Sequence, residues 1–224
     1  MKWAAVIVAA GRGTRLGAPK QFLELAGTPM VGWSIAKFAS MPEIAELIVA
    51  TEPDSVDPMR ALCERFASNR TWCVVQGGAT RQQSVYQGLR AVSDKCDAVL
   101  VHDGARPLVT LDDVRAGMRE VRHGRAALLA TPVVDTVKAV DLESLQVLET
   151  LDRGRLWAAQ TPQFARTTEL RAAHEAARRD GVEVTDDAAL LECAGVAVIV
   201  VPSTSENFKV TLPADVERAA ALLA

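Results

Sequence analysis

The sequence lacks several features that define whole classes of protein. Its formal net charge is −3 over 224 residues, so it has no basic excess of the kind that binds nucleic acids or membrane surfaces. No apolar stretch approaches the roughly 18 residues of a membrane span. The four cysteines show no paired short spacing, which argues against a zinc site or a redox pair. A reducing, cytoplasmic location is therefore expected.

The N-terminal segment mimics a signal peptide only superficially. Lys2 precedes an apolar run at residues 3–10, MKWAAVIVAA in context. The run is short and leads directly into a glycine-rich loop, so cleavage would destroy that loop. No targeting segment is expected.

Short apolar runs rich in Val, Ile and Ala recur along the chain and predict strands. They are continuous rather than alternating, which is typical of strands buried on both faces. The runs cover residues 4–8, 47–50, 72–75, 98–101, 126–130 and 196–201. Helical patterns lie between them at residues 31–39, 57–66, 82–92, 111–121, 169–179 and 186–193, and a last helix is expected at 213–223. This alternation predicts one α/β domain, residues 1–224, with a mainly parallel sheet and helices on both faces.

Residues 133–159 break the alternation. Two strand-like stretches, DTVKAVD and LQVLETLD, are joined by a turn and predict a β-hairpin without a covering helix. A lone hairpin is marginally stable in water, so it should pack against its own domain or against a second copy of the chain.

The most informative segment is residues 6–25, VIVAAGRGTRLGAPKQFLEL, in which an apolar strand enters a glycine loop that carries cations. The glycines permit a tight turn and leave N–H groups open to anionic oxygens, and the cations add positive charge. These residues are Gly11, Gly13, Gly17, Arg12, Arg15 and Lys20. The segment therefore predicts a phosphate-binding site.

Two better-known phosphate loops do not match. A Walker loop ends in Gly-Lys-Ser/Thr, and no such triplet occurs here. A dinucleotide fingerprint would need a glycine where Leu16 stands and an acidic residue within residues 30–40, a window with no Asp or Glu.

Polar motifs follow the predicted strands, where an open α/β sheet binds its ligand. Asp103, in HDGARP, is placed where a carboxylate can hold a hard cation between triphosphate oxygens. His102 points to the other side by strand alternation and is interpreted as structural. Thr185, Asp186 and Asp187 are interpreted as a helix N-cap with acids in the first turn, without a catalytic role.

From about residue 4 to the C-terminus, the order and spacing of these motifs resemble the 2-C-methyl-D-erythritol 4-phosphate cytidylyltransferase family of nucleotidyltransferases. The motifs are AAGxGxR…PKQ, GGATRQQSV, HDGARP, PVVDTVK, DRGRLW, QTPQ, TDDAALL and ENFKVT. The resemblance implies a Rossmann-like three-layer fold with a protruding hairpin arm. It also implies transfer of CMP from CTP to 2-C-methyl-D-erythritol 4-phosphate, with Mg²⁺ as cofactor and a homodimer formed through the arm at about residues 133–159.

The resemblance also implies roles for individual residues. CTP would be bound by Ala9, Ala10, Gly11, Arg12, Gly13, Gly78, Ser84, Asp103 and Gly104. The acceptor would contact Asp103, Arg106, Thr136, Arg153, Thr161 and Lys209. The catalytic group would be Arg15, Lys20, Arg153 and Lys209, and Asp103 would engage the metal. Gly78 and Ser84 would lie at the cytosine, and the arm residues Thr136 and Arg153 would come from the partner subunit.

The mechanism that this implies needs no general base. A phosphate monoester is largely dianionic at pH 7, because its second pKa is about 6, so it can attack the α-phosphorus of CTP directly. Three alternatives stay open: a cytidylyltransferase for another polyol phosphate such as ribitol 5-phosphate, a sugar-nucleotide or molybdopterin guanylyltransferase, and a nucleotide-binding regulatory module without turnover.

Overall fold

A computed structural model describes residues 1–11 and 20–224. The strands within these ranges are β1 (Trp3–Ala9), β2 (Glu24–Leu25), β3 (Thr28–Pro29), β4 (Ile44–Thr51), β5 (Thr71–Gln76), β6 (Ala98–Asp103), β7 (Arg125–Pro132), β8 (Lys138–Val140), β9 (Val147–Thr150), β10 (Trp157–Arg166) and β11 (Ala197–Pro202). The helices are α1 (Met30–Ser40), α2 (Val56–Ala67), α3 (Arg81–Ala91), α4 (Leu111–Glu120), α5 (Thr167–Asp180), α6 (Asp187–Cys193) and α7 (Pro213–Leu223). In the described ranges, no helix combines the length and the apolar character that a membrane crossing requires.

The described residues form a seven-stranded sheet in the order β11-β7-β10-β6-β1-β4-β5. β1 pairs in parallel with β4 and β6, β4 pairs in parallel with β5, and β7 pairs in parallel with β11. β10 alone among these strands runs antiparallel to its neighbours, β6 and β7. The prediction of a mainly parallel sheet is confirmed, but β10 was not among the predicted strands. The QTPQ motif, expected to follow a strand, lies inside β10.

The two faces of the sheet are both covered, as the continuous apolar runs predict. Along β1, Trp3, Ala5 and Ile7 belong to a core cluster that includes side chains of α1, α2 and α4. Ala4 and Val6 point to the opposite face and join a cluster with α3, α5 and α6. Because alternate residues of one strand enter opposite cores, β1 is fixed between two helical layers.

The chain order creates a crevice at the carboxyl end of β1. From β1 the chain proceeds outward to β4 and β5, and α3 then carries it to β6 on the other side of β1. Ligands of open α/β sheets bind at such a reversal of strand order. The N–H of Gly104, directly after β6, donates to the carbonyl of Val8 in β1 over 2.9 Å, which joins the two strand ends.

A hairpin of β8 and β9 stands apart from the main sheet and is called the arm, residues 133–156. The hairpin expected at residues 133–159 is confirmed, but residues 157–159 belong to β10 of the main sheet rather than to the hairpin. Its apolar side chains are largely exposed: Leu142 is 87%, Leu145 73% and Leu148 67% accessible, and Val134 at its base is 79% accessible. Such an apolar, exposed element lacks a partner surface within the described part of its own chain.

Candidate active site

A cavity of about 730 Å³ opens at the carboxyl ends of β1, β5 and β6. Every predicted CTP-binding residue that the structure describes lines it, together with both predicted catalytic lysines. These residues are Ala9, Ala10, Gly11, Gly78, Ser84, Asp103, Gly104, Lys20 and Lys209. The other predicted loop residues, Arg12, Gly13, Arg15 and Gly17, lie outside the described residues.

The loop after β5 forms one wall of the cavity. The N–H of Gly77 donates to the carbonyl of Thr51 over 2.7 Å, and the hydroxyl of Ser84 accepts from the N–H of Gly78 over 3.1 Å. A Cβ at Gly77 would lie 2.6 Å from the Cβ of Ala10 and 2.8 Å from the Ser84 hydroxyl. Glycine at this position therefore lets the loop approach the end of β1 closely. Thr80 caps α3 at the end of the loop by accepting from the N–H of Gln83 over 3.1 Å.

Asp103, at the end of β6, lies between two cations. Its Oδ1 accepts from Arg81 Nε over 3.0 Å, and its Oδ2 accepts from Lys209 Nζ over 2.8 Å. Burial alone would raise the pKa of this carboxyl, but the charges and hydrogen bonds of Arg81 and Lys209 outweigh it and hold the pKa well below its usual range. Asp103 is therefore ionised at neutral pH and orients a cavity lysine.

Arg81, the first residue of α3, bridges two carboxylates. Its Nη1 donates to Asp187 Oδ2 over 2.8 Å, while its Nε is held by Asp103. Burial would lower the pKa of this guanidinium, yet the two carboxylates raise it, Asp187 more than Asp103. Sequence reasoning missed both Arg81 and Asp187, although the motifs GGATRQQSV and TDDAALL contain them. The interpretation of Asp187 as an ordinary first-turn acid was incomplete, and the N-cap of α6 is Asp186, whose side chain accepts from the N–H of Ala189.

Two predicted acceptor residues lie behind Asp103 and do not form the wall of the cavity. The hydroxyl of Thr161 accepts from the N–H of Asp103 over 2.9 Å and lies 3.2 Å from His102 Nδ1. Arg106 Nη1 donates to the carbonyl of Asn207 over 2.7 Å, which attaches the loop after β6 to the segment that carries Lys209. His102 is fully buried, and burial lowers its pKa to about 3, so it is neutral. These residues brace the carboxylate and its neighbouring loops.

The arm carries the other two predicted acceptor residues, Thr136 and Arg153, and both are exposed. Arg153 Nη1 donates to the carbonyl of Val134 over 2.6 Å, which closes the base of the arm. Neither residue lines the cavity of its own chain.

Lys20 and Lys209 supply positive charge to the cavity. Lys20 begins a short 3₁₀ helix, Lys20–Phe22, and its Nζ donates to the carbonyl of Val210 over 3.3 Å. Val210 follows Lys209, so the same segment of chain connects both lysines. A cavity with two ammonium groups and glycine backbone suits a phosphate chain rather than an apolar ligand.

The donor set of the cavity fits a magnesium ion that is shared with phosphates. In the described part of the chain, no three His, Cys, Asp or Glu side chains cluster as a dedicated metal site. Mg²⁺ is commonly held by only one or two carboxylates together with substrate phosphates and water. The ionised carboxylate of Asp103, at the cavity wall, satisfies that requirement.

The fold and the site together define the class of this protein. The strand order, the glycine loop after β5, the two cavity lysines and the ionised carboxylate of Asp103 are those of an α/β nucleotide-binding enzyme of the nucleotidyltransferase class. The comparison with known proteins gives the particular family. The family model for 2-C-methyl-D-erythritol 4-phosphate cytidylyltransferase matches residues 3–224, and this chain belongs to that family.

Individual relatives agree over most or all of their lengths. The cytidylyltransferase of that name from Halalkalibacterium halodurans is 39% identical over 226 residues, covering 100% of this chain and 98% of the relative. The one from Streptomyces coelicolor is 45% identical, covering 99% of this chain and 84% of the relative. The crystal structure of the Thermus thermophilus enzyme is 36% identical with a TM-score of 0.79, covering 99% and 98%. A 4-diphosphocytidyl-2C-methyl-D-erythritol synthase from Anaerococcus prevotii is 28% identical with a TM-score of 0.87 and the same coverage. The family and the fold expected from the sequence are therefore confirmed.

Proposed function

We propose that this chain transfers CMP from CTP to 2-C-methyl-D-erythritol 4-phosphate, with release of pyrophosphate and formation of 4-diphosphocytidyl-2-C-methyl-D-erythritol. The observation that supports it best is the cavity itself, in which Lys20, Lys209 and Asp103 face a glycine wall at the ends of β1, β5 and β6. Membership of the family gives the proposal its donor and acceptor.

CTP occupies the cavity with its base against the loop after β5 and its phosphates toward the lysines. The loop at Gly77 and Gly78 is held by the Ser84 hydroxyl and has no side chain at these two positions to keep the base from its backbone. Backbone at Ala10 and Gly11, directly after β1, faces the phosphates, since side chains there are small or absent.

The reaction is an in-line displacement at phosphorus. An oxygen of the acceptor's phosphate dianion attacks the α-phosphorus of CTP and forms a new P–O bond. The bond from the α-phosphorus to the bridging oxygen breaks, and its electron pair leaves with pyrophosphate. No proton has to be removed from the attacking group, so the residues of the site need only align the reactants and offset charge.

Lys20 and Lys209 offset that charge as it moves toward the leaving pyrophosphate. Asp103 fixes Lys209 through the 2.8 Å contact. Its carboxylate would also hold Mg²⁺, which would supply positive charge to neutralise part of the phosphate charge. Thr161 also helps to align the site, because its hydroxyl accepts from the N–H of Asp103 and so holds the backbone at that carboxylate.

The acceptor site is completed by the arm of a second copy of the chain. Thr136 and Arg153 lie on the arm and away from their own cavity, and the arm exposes Leu142, Leu145 and Leu148. A second subunit that covers these apolar side chains removes them from water and brings Thr136 and Arg153 to its own cavity.

A panel of acceptors, scored by pyrophosphate release from CTP and Mg²⁺, tests the function. Methylerythritol phosphate is expected to have the highest kcat/KM. A higher kcat/KM for ribitol 5-phosphate would assign a different polyol phosphate as the substrate. Binding of CTP without pyrophosphate release from any acceptor would indicate a regulatory module.

A further inference from the structure

A line of polar side chains extends from the cavity into the helices on one face of the sheet. Arg81 connects Asp103 to Asp187, and His174 Nε2 in α5 lies 3.0 Å from Asp187 Oδ1. Asp187 is 1% exposed and His174 is 0% exposed, and Asp187 does not line the cavity. Asp187 therefore cannot touch a substrate without a rearrangement of the core.

The planar guanidinium group of Arg81 couples the positions of its two partners, Asp187 and Asp103. Its N–H donors lie in a rigid plane, so a partner that holds one nitrogen also fixes the direction of the others. Asp187 holds Nη1 over 2.8 Å, and this leaves Nε aimed at Asp103 Oδ1 over 3.0 Å. With Oδ1 occupied, Oδ2 of Asp103 is the oxygen that receives Lys209.

Both oxygens of Asp187 are engaged, which fixes its own orientation. Oδ2 accepts from Arg81, and Oδ1 faces His174, whose ring stacks on Tyr86 with centroids 6.4 Å apart. Although burial would raise the pKa of Asp187, the charge of Arg81 and the contact with His174 lower it. The line therefore reaches the buried carboxylate of Asp187, which Arg81 and His174 hold from two sides.

We propose that Asp187 is a positioning residue for the transfer reaction. It fixes Arg81, Arg81 fixes the carboxylate of Asp103, and Asp103 fixes the ammonium group of Lys209 at the cavity. The inference rests on the proposed function, because the effect is measured on that reaction.

The first experiment compares two neighbouring aspartates in the full-length enzyme. Asp187→Asn keeps the shape of the side chain and removes its charge. It is expected to lower kcat roughly 10- to 100-fold, the loss typical of a misplacement of about 1 Å, with a smaller change in the KM for CTP. Asp186→Asn is the matched control: Asp186 caps the same helix and contacts Gln163 over 2.8 Å, and asparagine also caps helices well. Equal kcat values for the two variants would overturn the proposal.

A double-mutant cycle separates positioning from a general structural effect. Arg81→Lys keeps the charge but loses the planar fork, so in this background Asp187→Asn is expected to cause little further loss of kcat. Single-turnover assays with radiolabelled CTP resolve slow rates, and all assays run well below each variant's thermal midpoint. Losses that multiply in the double variant would show that Asp187 does not act through Arg81, and would overturn the proposal.

A second variant keeps the test decisive if Asp187→Asn does not fold. His174→Gln leaves both charges in place and changes only the support of Asp187, so it is expected to lower kcat less, and not at all in the Arg81→Lys background. An unchanged kcat in His174→Gln would then count against the proposal. If the wild type and Asp186→Asn release no pyrophosphate with any acceptor, the proposed function itself has failed, and this outcome is distinct from the others.

Discussion

At the residue scale, the two cavity lysines are held by different partners. Lys209 Nζ donates to the ionised carboxylate of Asp103 over 2.8 Å, and Lys20 Nζ donates to the backbone carbonyl of Val210 over 3.3 Å. Both lysines line the cavity, so both ammonium groups are placed to offset charge as it moves onto pyrophosphate.

Lys20→Ala tests this interpretation. The variant is expected to lower kcat about 100-fold or more, the usual cost of removing a preorganised charge donor, while the Kd for CTP changes less. Steady-state kinetics and calorimetric CTP titration measure the two quantities. Lys95→Ala, at an exposed turn before β6, serves as control. If the variant binds CTP weakly but has a normal kcat at saturating CTP, Lys20 contributes to CTP binding and not to stabilisation of the transition state.

The buried imidazole of His102 predicts a pH dependence of stability. Its pKa is lowered by burial to about 3 in the folded chain, against about 6.5 when unfolded. Below pH 6.5 the unfolded state binds more protons than the folded state, so the free energy of unfolding falls as pH falls from about 6.5 toward 3, by up to about 1.4 kcal/mol per pH unit. Between pH 7 and pH 5 the expected loss from this residue is about 2 kcal/mol.

Urea unfolding of wild type and His102→Gln at the two pH values measures this contribution. His102→Gln is expected to be less stable at pH 7 but to lose about 2 kcal/mol less on acidification. His123→Gln is the control, because the His123 side chain is 97% exposed. The same acid sensitivity in His102→Gln and wild type would place the protonation elsewhere.

The residues that sequence reasoning missed at the site have one property in common. Arg81 and Asp187 are 106 positions apart and meet only because α3 and α6 pack on the same face of the sheet. Their local patterns, a helix start and an N-terminal acid, are fully explained without that contact. Asp103 was found because it lies at the end of a strand, where the sequence position itself predicts proximity to the ligand, whereas Ala9 and Gly78 were implied by the resemblance to the family.

At the element scale, β10 is the strand of the main sheet that the sequence pattern did not predict. Its buried stretch includes Gln160, Thr161 and Gln163 and is interrupted by a proline, so neither a continuous apolar run nor a clean alternation is present. The polar side chains are satisfied only by tertiary partners: Gln160 accepts from Asn207, Thr161 from Asp103 and Gln163 from Ala188. The predicted helices and the predicted strands of the main sheet match the structure closely, because helical apolar spacing and short apolar runs mark them in the sequence.

The packing of α4 against β10 predicts a sensitive glycine. A Cβ at Gly117 would lie 2.2 Å from the ring of Phe164, which is fully buried and packs edge-on against Trp3. Gly117→Ala is expected to destabilise the chain by about 1 to 3 kcal/mol through overpacking, although alanine favours helix by about 1 kcal/mol.

Urea denaturation of Gly117→Ala and of Gly117→Ala/Phe164→Leu measures that cost. The smaller leucine should leave room for the new methyl group, so the penalty for Gly117→Ala should be smaller in the Phe164→Leu background than in wild type. An equal penalty in both backgrounds would mean that the ring of Phe164 is not the obstacle.

At the scale of the whole molecule, the residues of the proposed site lie in two places on each chain, one group at the cavity and the other on the arm. Lys209 lines the cavity, whereas Arg153 lies on the arm, where its Nη1 donates to the carbonyl of Val134 at the base of the arm. If the arm of each subunit completes its neighbour's cavity, a closed two-fold dimer contains two sites, and each site uses Lys209 from one chain and Arg153 from the other.

Mixing two inactive variants tests that arrangement. Lys209→Ala and Arg153→Ala homodimers should each be nearly inactive, but a mixed dimer places both lesions in one site and leaves the other site wild type. Random exchange of equal amounts makes half of the dimers mixed, so activity should recover to about one quarter of wild type. Subunit exchange is verified by native mass spectrometry of the mixture. Exchange without recovery of activity would mean that Arg153 serves the site of its own chain or no site.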